Sequence, residues 1–554
     1  MGNKVRGGTA WLILAVWASA GGAAAQVAAV AASPAVLMPD PAPPRRELAE
    51  LSGYAQAVAE GVAGNPGLKA FYEARGYAPI WTTGADADRR AAFFAALGTA
   101  SMHGLPAARY GGEALRAQFA TIRSERERGL LEAQMSMALV SYARDLSSGV
   151  LEPKRVDPTI VRDILRPDAG QVIGGFAAAA QPAAFLRDLA PKSQEYSRLL
   201  RARMDLGRQI AAGGWGAPVT AGILRPGEEG DQVLALRQRM QAMGYLGRGA
   251  SRSYDAALIA AVKGFQAENG LKADGVAGPS TLAAVNAAPE DRLRSILVAM
   301  ERLRWMNGID LSARHIWVNI PDFSAEIVED HQVTFRSVAV VGRVEPDYRT
   351  PEFSDEMQTV VINPAWHVPR SITVREYLPK MQRNPNASAQ IQIVDKAGQV
   401  IPRDQVNFAA YNADNFPFRM RQAPSDDNAL GQVKFLFPNP WNIYLHDTPS
   451  KSLFGKEDRA LSHGCIRIGR PFDLAYALLA PQTDDPEAYF QKFLAAGKEK
   501  FVTLAQPVPV HLVYFTAWPE ADGHIAYRKD VYGRDAALFA ALEKAGVELP
   551  VLTN

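Results

Sequence analysis

Two short blocks of the sequence, Tyr-Leu-His-Asp-Thr-Pro at 444–449 and Leu-Ser-His-Gly-Cys-Ile-Arg at 461–467, decide how the rest of the chain is interpreted. The second block holds Cys465, the only cysteine among 554 residues, and the first supplies His446 upstream of it. A cysteine that only fills a core usually lies in a continuous apolar run. Cys465 instead lies among histidine, glycine and arginine, and such electropositive surroundings favour the thiolate. The two blocks therefore predict a nucleophilic thiol with a histidine base.

The composition is that of an ordinary globular protein, with 48% apolar and 21% charged residues. A formal net charge of +2 gives no indication of a nucleic-acid partner or of an anionic membrane surface. The sequence has no Gly-rich phosphate loop, no cysteine pair and no His-Glu-x-x-His, so we predict no cofactor and no metal. The length leaves room for about three or four domains.

The amino-terminal segment has the order of features that is typical of a signal peptide: Lys4 and Arg6, then the apolar run Trp11–Trp17, then small residues. We place the signal peptide at residues 1–25, because the apolar run is too short to span a bilayer comfortably. An uncleaved membrane anchor is the alternative. Residues 26–46 are rich in Ala, Val and Pro and are predicted to form a linker.

Residues 47–215 have the texture of a helical scaffold domain. Ala, Leu, Arg and Glu recur at steps of three and four, with breaks at Gly and Pro. Amphipathic helices are predicted at Ala91–Leu97, Leu130–Leu146 and Ser193–Ala212. Composition assigns no chemistry to this region.

Residues 224–287 predict a compact module of three short helices. Val233, Leu236 and Met240 share one face of the first helix, and Pro279 lies near the start of the third. The pattern Leu-Arg-Gln-Arg-Met, Gly-Tyr-Leu, Val-Lys-Gly-Phe-Gln and Asp-Gly-Val-Ala-Gly-Pro-Ser-Thr-Leu resembles the peptidoglycan-binding domain of many wall enzymes. A helical spacer that binds nothing is the alternative, because a fold does not by itself imply a ligand.

After a predicted helix at 289–306 the texture changes to strands, and we predict a β-rich domain over residues 313–550. β-branched residues and partial alternation indicate two sets of strands. They are His315–Ile320, Ser324–Val328, Val333–Val341 and Met357–Asn363, then Gln432–Phe437, Asn442–His446, Phe501–Leu504, Val508–Phe515 and His524–Arg528. Between the sets, residues 368–430 are polar and contain several prolines. They predict an irregular capping insertion, either a lid or an inert excursion.

His-Asp-Thr-Pro followed by Ser-His-Gly-Cys-Ile-Arg resembles the signature of the L,D-transpeptidases, the cysteine enzymes that cross-link bacterial peptidoglycan. The domain order is similar to that of the large periplasmic members. The resemblance implies a multidomain α+β fold, with a helical scaffold, a small three-helix peptidoglycan-binding module and a β-rich catalytic domain that carries an inserted lid-like segment. It also implies a periplasmic location, with peptidoglycan stem peptides and glycan strands as partners and other cell-wall synthesis enzymes as further candidates.

The resemblance assigns roles around the thiol. Cys465 is the nucleophile, and His446 is the base because the family's catalytic histidine occupies that place in the upstream motif. His463 is expected to position the loop or to donate a hydrogen bond, or else to be purely structural. Gly464 lets the backbone turn sharply and Ser462 orders the loop. The expected oxyanion donor is the N–H of Cys465, with that of Gly464 as a second candidate.

Three residues are expected to bind the substrate. Arg467 shares the face of Cys465 if the segment is extended, and a guanidinium there can hold a carboxylate bidentately. A surface ion pair is the alternative. Tyr444 and Trp366 match aromatic positions that line the family's cleft, although sequence alone would place both in a core. Asp447 is left out of the catalytic set, because the family uses a backbone carbonyl to orient the base.

These assignments predict that Cys465 attacks the L,D-peptide bond of a tetrapeptide donor stem, releases D-alanine and passes the acyl group to an amine, which links the third residues of two stems. Hydrolysis through the same acyl-enzyme, as in an L,D-carboxypeptidase, stays open, and so does a catalytically inactive peptidoglycan-binding protein. A zinc site formed by His446, His463 and Cys465 is more distant, because it lacks the usual ligand spacing. A second stem, a lipoprotein lysine and a free D-amino acid all suit the acceptor position.

Overall fold

The structure is a computed structural model, and it describes residues 51–520 and 523–549. The predicted signal peptide at 1–25 and linker at 26–46 lie outside the described residues. No helix in the described part combines the length and apolarity that crossing a membrane requires.

The amino-terminal region is helical, as predicted. Its helices are α1 (Gly53–Val62), α2 (Pro66–Ala74), α3 (Ala87–Gly98), α4 (Gly112–Thr121), α5 (Glu125–Ser148), α6 (Pro153–Val156), α7 (Ala169–Ala178), α8 (Pro182–Arg187) and α9 (Gln194–Ala211). The longest helix, α5, begins at a capping box, in which the Glu127 N–H donates to the Ser124 hydroxyl and the Glu127 carboxylate accepts from the Ser124 N–H. An apolar core that includes Tyr72, Trp81 and Phe93 holds these helices together.

The three-helix module is also present, as α10 (Asp231–Ala242), α11 (Ala256–Glu268) and α12 (Pro279–Val285). It has an apolar core of its own, formed in part by Val233, Leu236, Met240, Leu258 and Phe265. Pro279 begins α12 at a position where its missing N–H costs no helical hydrogen bond. The spacing of three and four residues between apolar positions is therefore sufficient to predict this three-helix module.

Helix α13 (Pro289–Trp305) connects the helical region to the β-rich domain. Its apolar residues belong to the same cluster as the scaffold core and as Trp317 and Phe515 of the β-rich domain. Its buried Arg302 pairs with Glu352 at 3.2 Å and with Asp535 at 2.5 Å, and both partners lie in the β-rich domain. Buried charges need such partners, because removing one partner leaves an uncompensated charge.

The strands of the β-rich domain are β1 (His315–Asn319), β2 (Ser324–Glu329), β3 (Gln332–Gly342), β4 (Phe353–Ile362), β5 (Trp366–His367), β6 (Ile391–Val394), β7 (Val400–Ile401), β8 (Arg419–Gln422), β9 (Val433–Leu436), β10 (Leu445–His446), β11 (Ala460–Ser462), β12 (Ile466–Ile468), β13 (Lys500–Val513), β14 (Ala517–Pro519) and β15 (Ile525–Tyr527). The order β1-β2-β3-β12-β10-β9-β4-β13 closes on itself, because β13 pairs with β1. Most of these pairings are antiparallel, but β10–β12 and β13–β1 are parallel. β11 extends the sheet beside the end of β3, and β14 and β15 form a separate hairpin.

The insertion between β4 and β9 is a folded subdomain, so the predicted irregular stretch is wrong in this respect. Its strands form a four-stranded sheet in the order β5-β8-β6-β7, accompanied by α14 (Arg370–Ile372), a π-helical turn at Thr373–Tyr377 and α15 (Leu378–Arg383). It has its own apolar core, which includes Met381, Ile391, Ile393, Phe408 and Met420. Strands of two to four residues are too short to show a clear alternation in sequence.

Three further helices of the β-rich domain were not predicted, namely α16 (Pro471–Leu479), α17 (Pro486–Ala495) and α18 (Arg534–Lys544). Leu474 and Leu478 of α16 and Phe490 of α17 pack on the core of the closed sheet. Leu538 and Phe539 of α18 join the scaffold cluster instead. The carboxyl-terminal helix therefore packs with the amino-terminal region.

Candidate active site

Two neighbouring parallel strands, β10 and β12, bring the two sequence blocks together. Leu445 pairs with Ile466, and His446 pairs with Arg467. Leu445 and Ile466 are fully buried in the core of the closed sheet. Because side chains alternate along a strand, the other face carries the residues on either side of this pair. These are Tyr444, Cys465, His446 and Arg467.

This face opens into a cavity of about 840 Å³ between the closed sheet and the inserted subdomain. Its lining includes every predicted site residue except Gly464, namely Trp366, Tyr444, His446, Ser462, His463, Cys465 and Arg467. The inserted subdomain contributes Arg370, Arg375, Glu376 and Tyr377. The structure thus gathers into one cavity residues that the sequence predicted separately.

The thiol of Cys465 is accessible from the cavity but lies below the protein surface. Burial raises its pKa to about 11, and this outweighs the opposing effects of hydrogen bonding to Tyr444 and of the positive charge of Arg467. The thiol is oriented toward the Asn442 carbonyl, with 3.6 Å between Sγ and the oxygen. The expectation that the electropositive neighbours favour the thiolate is therefore wrong for the resting site. Burial dominates, and the thiol is neutral near pH 7.

His446 is buried, with 4% of its surface exposed. Burial, assisted by the positive charges of Arg467 and Lys434, lowers its pKa to about 3, so the imidazole is neutral. Its Nδ1 contacts the Asp447 carbonyl, which can only accept, so Nδ1 carries the proton and the lone pair of the neutral ring is on Nε2. The Asp447 side chain contacts Lys451 and accepts from the Gln432 N–H instead. The neutral imidazole is the form that can accept a proton, and its lowered pKa makes it a weak base in the resting site.

No hydrogen bond between His446 and Cys465 is present among the described residues. Catalytic hydrogen bonds often tighten only when a substrate is bound. A neutral thiol and a neutral imidazole in one cavity therefore indicate proton transfer during attack, in place of a preformed thiolate–imidazolium pair.

This electrostatic picture predicts how the thiol titrates. Iodoacetamide alkylation of wild-type Cys465 is expected to accelerate roughly tenfold per pH unit between about pH 7 and about pH 10, since the thiolate fraction grows in that way below a pKa near 11. Intact-mass kinetics measure this cleanly, because the chain contains no second cysteine. A rate that levels off near neutral pH would instead reveal a preformed thiolate.

The loop that carries the thiol is held by Ser462. The Ser462 hydroxyl donates to the Cys465 carbonyl at 2.6 Å and accepts from the Gly464 N–H at 3.1 Å. Gly464 has a φ of +116°, and an added Cβ would lie 3.2 Å from a methyl carbon of Ile443. Because the Gly464 N–H is engaged, the second candidate oxyanion donor is occupied in this state. The Cys465 N–H makes no hydrogen bond within the described part of the chain.

His463 connects the same loop to the inserted subdomain. Its Nε2 lies 2.5 Å from a carboxylate oxygen of Glu376, which belongs to the π-helical turn. Its ring meets Tyr348 edge-on, with 5.1 Å between centroids. A second contact, between Arg375 and Asp347 at 2.9 Å, lies in the same region. The Nε2 of His463 is therefore occupied by Glu376, which is not a partner of Cys465.

Arg467 forms no ion pair with any described residue, which removes the alternative of a surface salt bridge in this state. Its Nε is buried and has no hydrogen-bond partner in the described structure. On the neighbouring strand β9, Lys434 pairs in register with His446. A row of Lys434, His446 and Arg467 therefore crosses three strands on the cavity side. Lys434 lies 3.8 Å from Glu499 and His446 is neutral, so Arg467 supplies the positive charge of this row that has no ion-pair partner among the described residues.

The two aromatic residues differ in their surroundings. Tyr444 meets His446 at 5.7 Å between centroids and lies beside the thiol, and burial raises its pKa well above the ordinary value. Trp366 is 8% exposed and packs on Tyr377 at 6.1 Å within the core of the inserted subdomain. Both line the cavity, and both also contribute to packing.

The cavity residues that sequence reasoning missed include Lys434, Glu376 and Asn442. Lys434 carried a usable signal, because a charge in the middle of the predicted strand Gln432–Phe437 must face away from the core or find a partner. Asn442 adopts a left-handed backbone with φ of +54°, and Glu376 reaches the loop only through the tertiary fold. Neither feature has a local signature.

Comparison with known proteins places this site in a family. A family model for the L,D-transpeptidase catalytic domain matches residues 313–495, that of a "Putative peptidoglycan binding domain" matches 229–285, and that of a scaffold domain matches 66–202. Residues 313–495 therefore match the L,D-transpeptidase catalytic domain, and they follow a match to a scaffold domain and a match to a peptidoglycan-binding domain.

One relative is a Haemophilus influenzae protein named "Putative L,D-transpeptidase", which is 35% identical over 222 residues, or 40% of this chain. The match spans 44% of that protein's length. Crystal structures of L,D-transpeptidases from Xylanimonas cellulosilytica and Stackebrandtia nassauensis are 17% and 15% identical, with TM-scores of 0.16 and 0.22. Each match covers 54% of this chain, and 100% and 97% of the respective structures. The family assignment rests on the sequence matches.

Proposed function

We propose that the protein is a cysteine-dependent L,D-transpeptidase of peptidoglycan in the periplasm. Cys465 attacks the L,D-peptide bond of a tetrapeptide donor stem, releases D-alanine and transfers the acyl group to an amine of a second stem. The product is a cross-link between the third residues of two stems. No metal or cofactor takes part in this scheme.

The steps follow from the protonation states in the cavity. The Cys465 sulfur attacks the carbonyl carbon while His446 Nε2 accepts the thiol proton, and the Cys465 N–H stabilises the oxyanion. The tetrahedral intermediate collapses, the C–N bond breaks, and the protonated His446 returns the proton to the departing D-alanine. The acceptor amine then attacks the thioester, gives a proton to His446, and the thiol is regenerated.

The observation that carries this proposal is the common face of two parallel strands. On this face lie the only thiol, a neutral imidazole, and an arginine that forms no ion pair with a described residue, all lining one cavity. Arg467 suits a carboxylate of the stem, because a guanidinium binds carboxylates bidentately. Tyr444 and Trp366 provide the apolar walls, and Ser462, Gly464 and His463 hold the loop.

The experiment that tests the proposal follows the acyl-enzyme. Incubation with a purified tetrapeptide stem and an acid quench should give a thioester on Cys465, detected by intact mass and peptide mapping, with one D-alanine released per adduct. Release of D-alanine without an adduct or dimer, and with only tripeptide formed, would favour the L,D-carboxypeptidase alternative. Binding without any release would favour an inactive peptidoglycan-binding protein.

The 229–285 domain is expected to serve substrate retention. Its core is its own, and the cavity lining includes none of its residues. A tethered binding domain raises the local concentration of a polymeric substrate without adding catalytic contacts. Deleting it should weaken retention in a pull-down with insoluble peptidoglycan and leave carbapenem acylation nearly unchanged. Equal retention with and without the domain would support a spacer, provided that melting temperatures show both proteins to be folded.

A further inference from the structure

The peptide unit that joins Gly464 to Cys465 accepts a hydrogen bond from a residue that lies outside the thiol loop and outside both sequence blocks. The hydroxyl of Thr350 donates to the Gly464 carbonyl at 2.8 Å and accepts from the Gly342 N–H at 2.9 Å. Because the Gly342 N–H occupies a lone pair of this oxygen, the single hydroxyl hydrogen is directed to Gly464. Thr350 is fully buried, so water does not compete for this bond.

We propose that Thr350 is a positioning residue for the oxyanion site, whose hydroxyl both orients and polarises the peptide unit between Gly464 and Cys465. A peptide unit is planar and trans, so its C=O and N–H point in opposite directions. Fixing the Gly464 carbonyl therefore fixes the direction of the Cys465 N–H. A hydrogen bond to the carbonyl also strengthens the N–H as a donor, because hydrogen-bonded chains polarise one another. The inference rests on the proposed function, in which this N–H stabilises the oxyanion.

Thr350 is itself held rigidly. The Tyr532 hydroxyl donates to the Gly342 carbonyl at 2.5 Å, and Arg534 donates to the Thr350 carbonyl at 3.0 Å. A Cβ added at Gly342 would collide with the Tyr348 carbonyl and lie 2.7 Å from the Thr350 nitrogen. The backbone at Gly342 is therefore in close contact with the segment that carries Thr350. A positioning residue needs such support, because a loosely held donor loses its directional effect.

The support extends into the helical region. The Arg534 guanidinium donates to the Thr159 hydroxyl at 2.6 Å and pairs with Asp157 at 3.2 Å, and both partners follow α6 in the amino-terminal region. It also pairs with the buried Glu352 at 3.3 Å. The helical region thus reaches the thiol loop through two residues, Arg534 and Thr350.

The test compares two reactions of the same sulfur. Acylation by imipenem passes through a tetrahedral oxyanion, whereas alkylation by iodoacetamide displaces iodide and forms none. Thr350→Val keeps the branched shape but removes the hydroxyl, and it should slow imipenem acylation by about 10-fold to 100-fold while alkylation stays unchanged. With a stem substrate, kcat should fall and KM should stay constant. Thr350→Ser should restore acylation.

Thr281→Val is the matched control, because Thr281 is also buried, in the 229–285 domain, and its hydroxyl accepts a hydrogen bond from the Gln266 side chain at 3.0 Å. It should alter neither reaction. Thr350→Ala, which also lacks the hydroxyl, gives the same comparison if the valine variant does not fold. Equal losses in acylation and alkylation, or no loss in acylation, would overturn the positioning role. Wild-type protein that is alkylated but never acylated would overturn the proposed function as well.

Discussion

Replacing Cys465 with alanine is expected to abolish D-alanine release, with a loss of at least about 10⁴-fold in kcat, because it removes the only thiol of the chain and with it the proposed nucleophile. The same variant should give no adduct with a carbapenem, whose strained amide offers the thiol a comparable carbonyl. Intact-mass measurement after carbapenem treatment checks this prediction. The single cysteine makes the experiment unambiguous, since no second thiol can contribute an adduct.

Cys465→Ser is the matched control for this experiment, because it keeps the size and the hydrogen-bonding capacity of the side chain. It should retain binding to a stem peptide and lose turnover, since a neutral hydroxyl is a much weaker nucleophile than a thiol. A carbapenem adduct that persists in Cys465→Ala would show that another residue is acylated and would contradict the assignment of Cys465 as the nucleophile.

Replacing His446 with alanine is expected to reduce acylation near neutral pH by about 10²-fold to 10⁴-fold, which is the range for loss of a general base. The reason is the raised pKa of the thiol, which leaves little thiolate without a base. As the pH rises, the thiolate forms unaided, so the variant should recover roughly tenfold per pH unit up to about pH 10. Acylation rates measured across this pH range test both the loss and the recovery.

His463→Ala is the natural comparison, because the two histidines lie in the same cavity. The Nε2 of His463 contacts Glu376. Replacing His463 should therefore loosen the contact between the thiol loop and the inserted subdomain, while His446 remains as the base. A milder loss, without recovery at high pH, is therefore expected. The reverse ranking of the two variants would move the base to His463 and leave the enzyme class intact.

Local patterns were sufficient where short-range spacing alone defines an element. The helices of the 229–285 domain follow from the steps between Val233, Leu236 and Met240, which bury one face within a single helix. The shared face of Tyr444 and His446 likewise follows from strand alternation, although only Leu445 and His446 are strand residues. The predicted strand Asn442–His446 does not begin at Asn442, because this residue has a left-handed backbone. Its carbonyl faces the thiol.

Features that depend on distant parts of the chain were not accessible from the sequence. β13 runs unbroken through the predicted gap between Leu504 and Val508, because an irregularity in its pairing with β4 accommodates Pro507. The pKa of Cys465 depends on burial by the whole cavity, which outweighs the charges that are visible next to it in the sequence. The contact of Glu376 with His463 joins residues that lie far apart in the chain. In each case the tertiary environment overrides a local signal.

In the proposed function, Cys465 transfers an acyl group from one stem to another. Incubating the protein with purified tetrapeptide muropeptides and identifying the products by mass spectrometry tests it most directly. We expect dimers joined between the third residues of two stems, with stoichiometric D-alanine, and none in Cys465→Ala. Tripeptide as the sole product, or dimers that also form with Cys465→Ala, would contradict it.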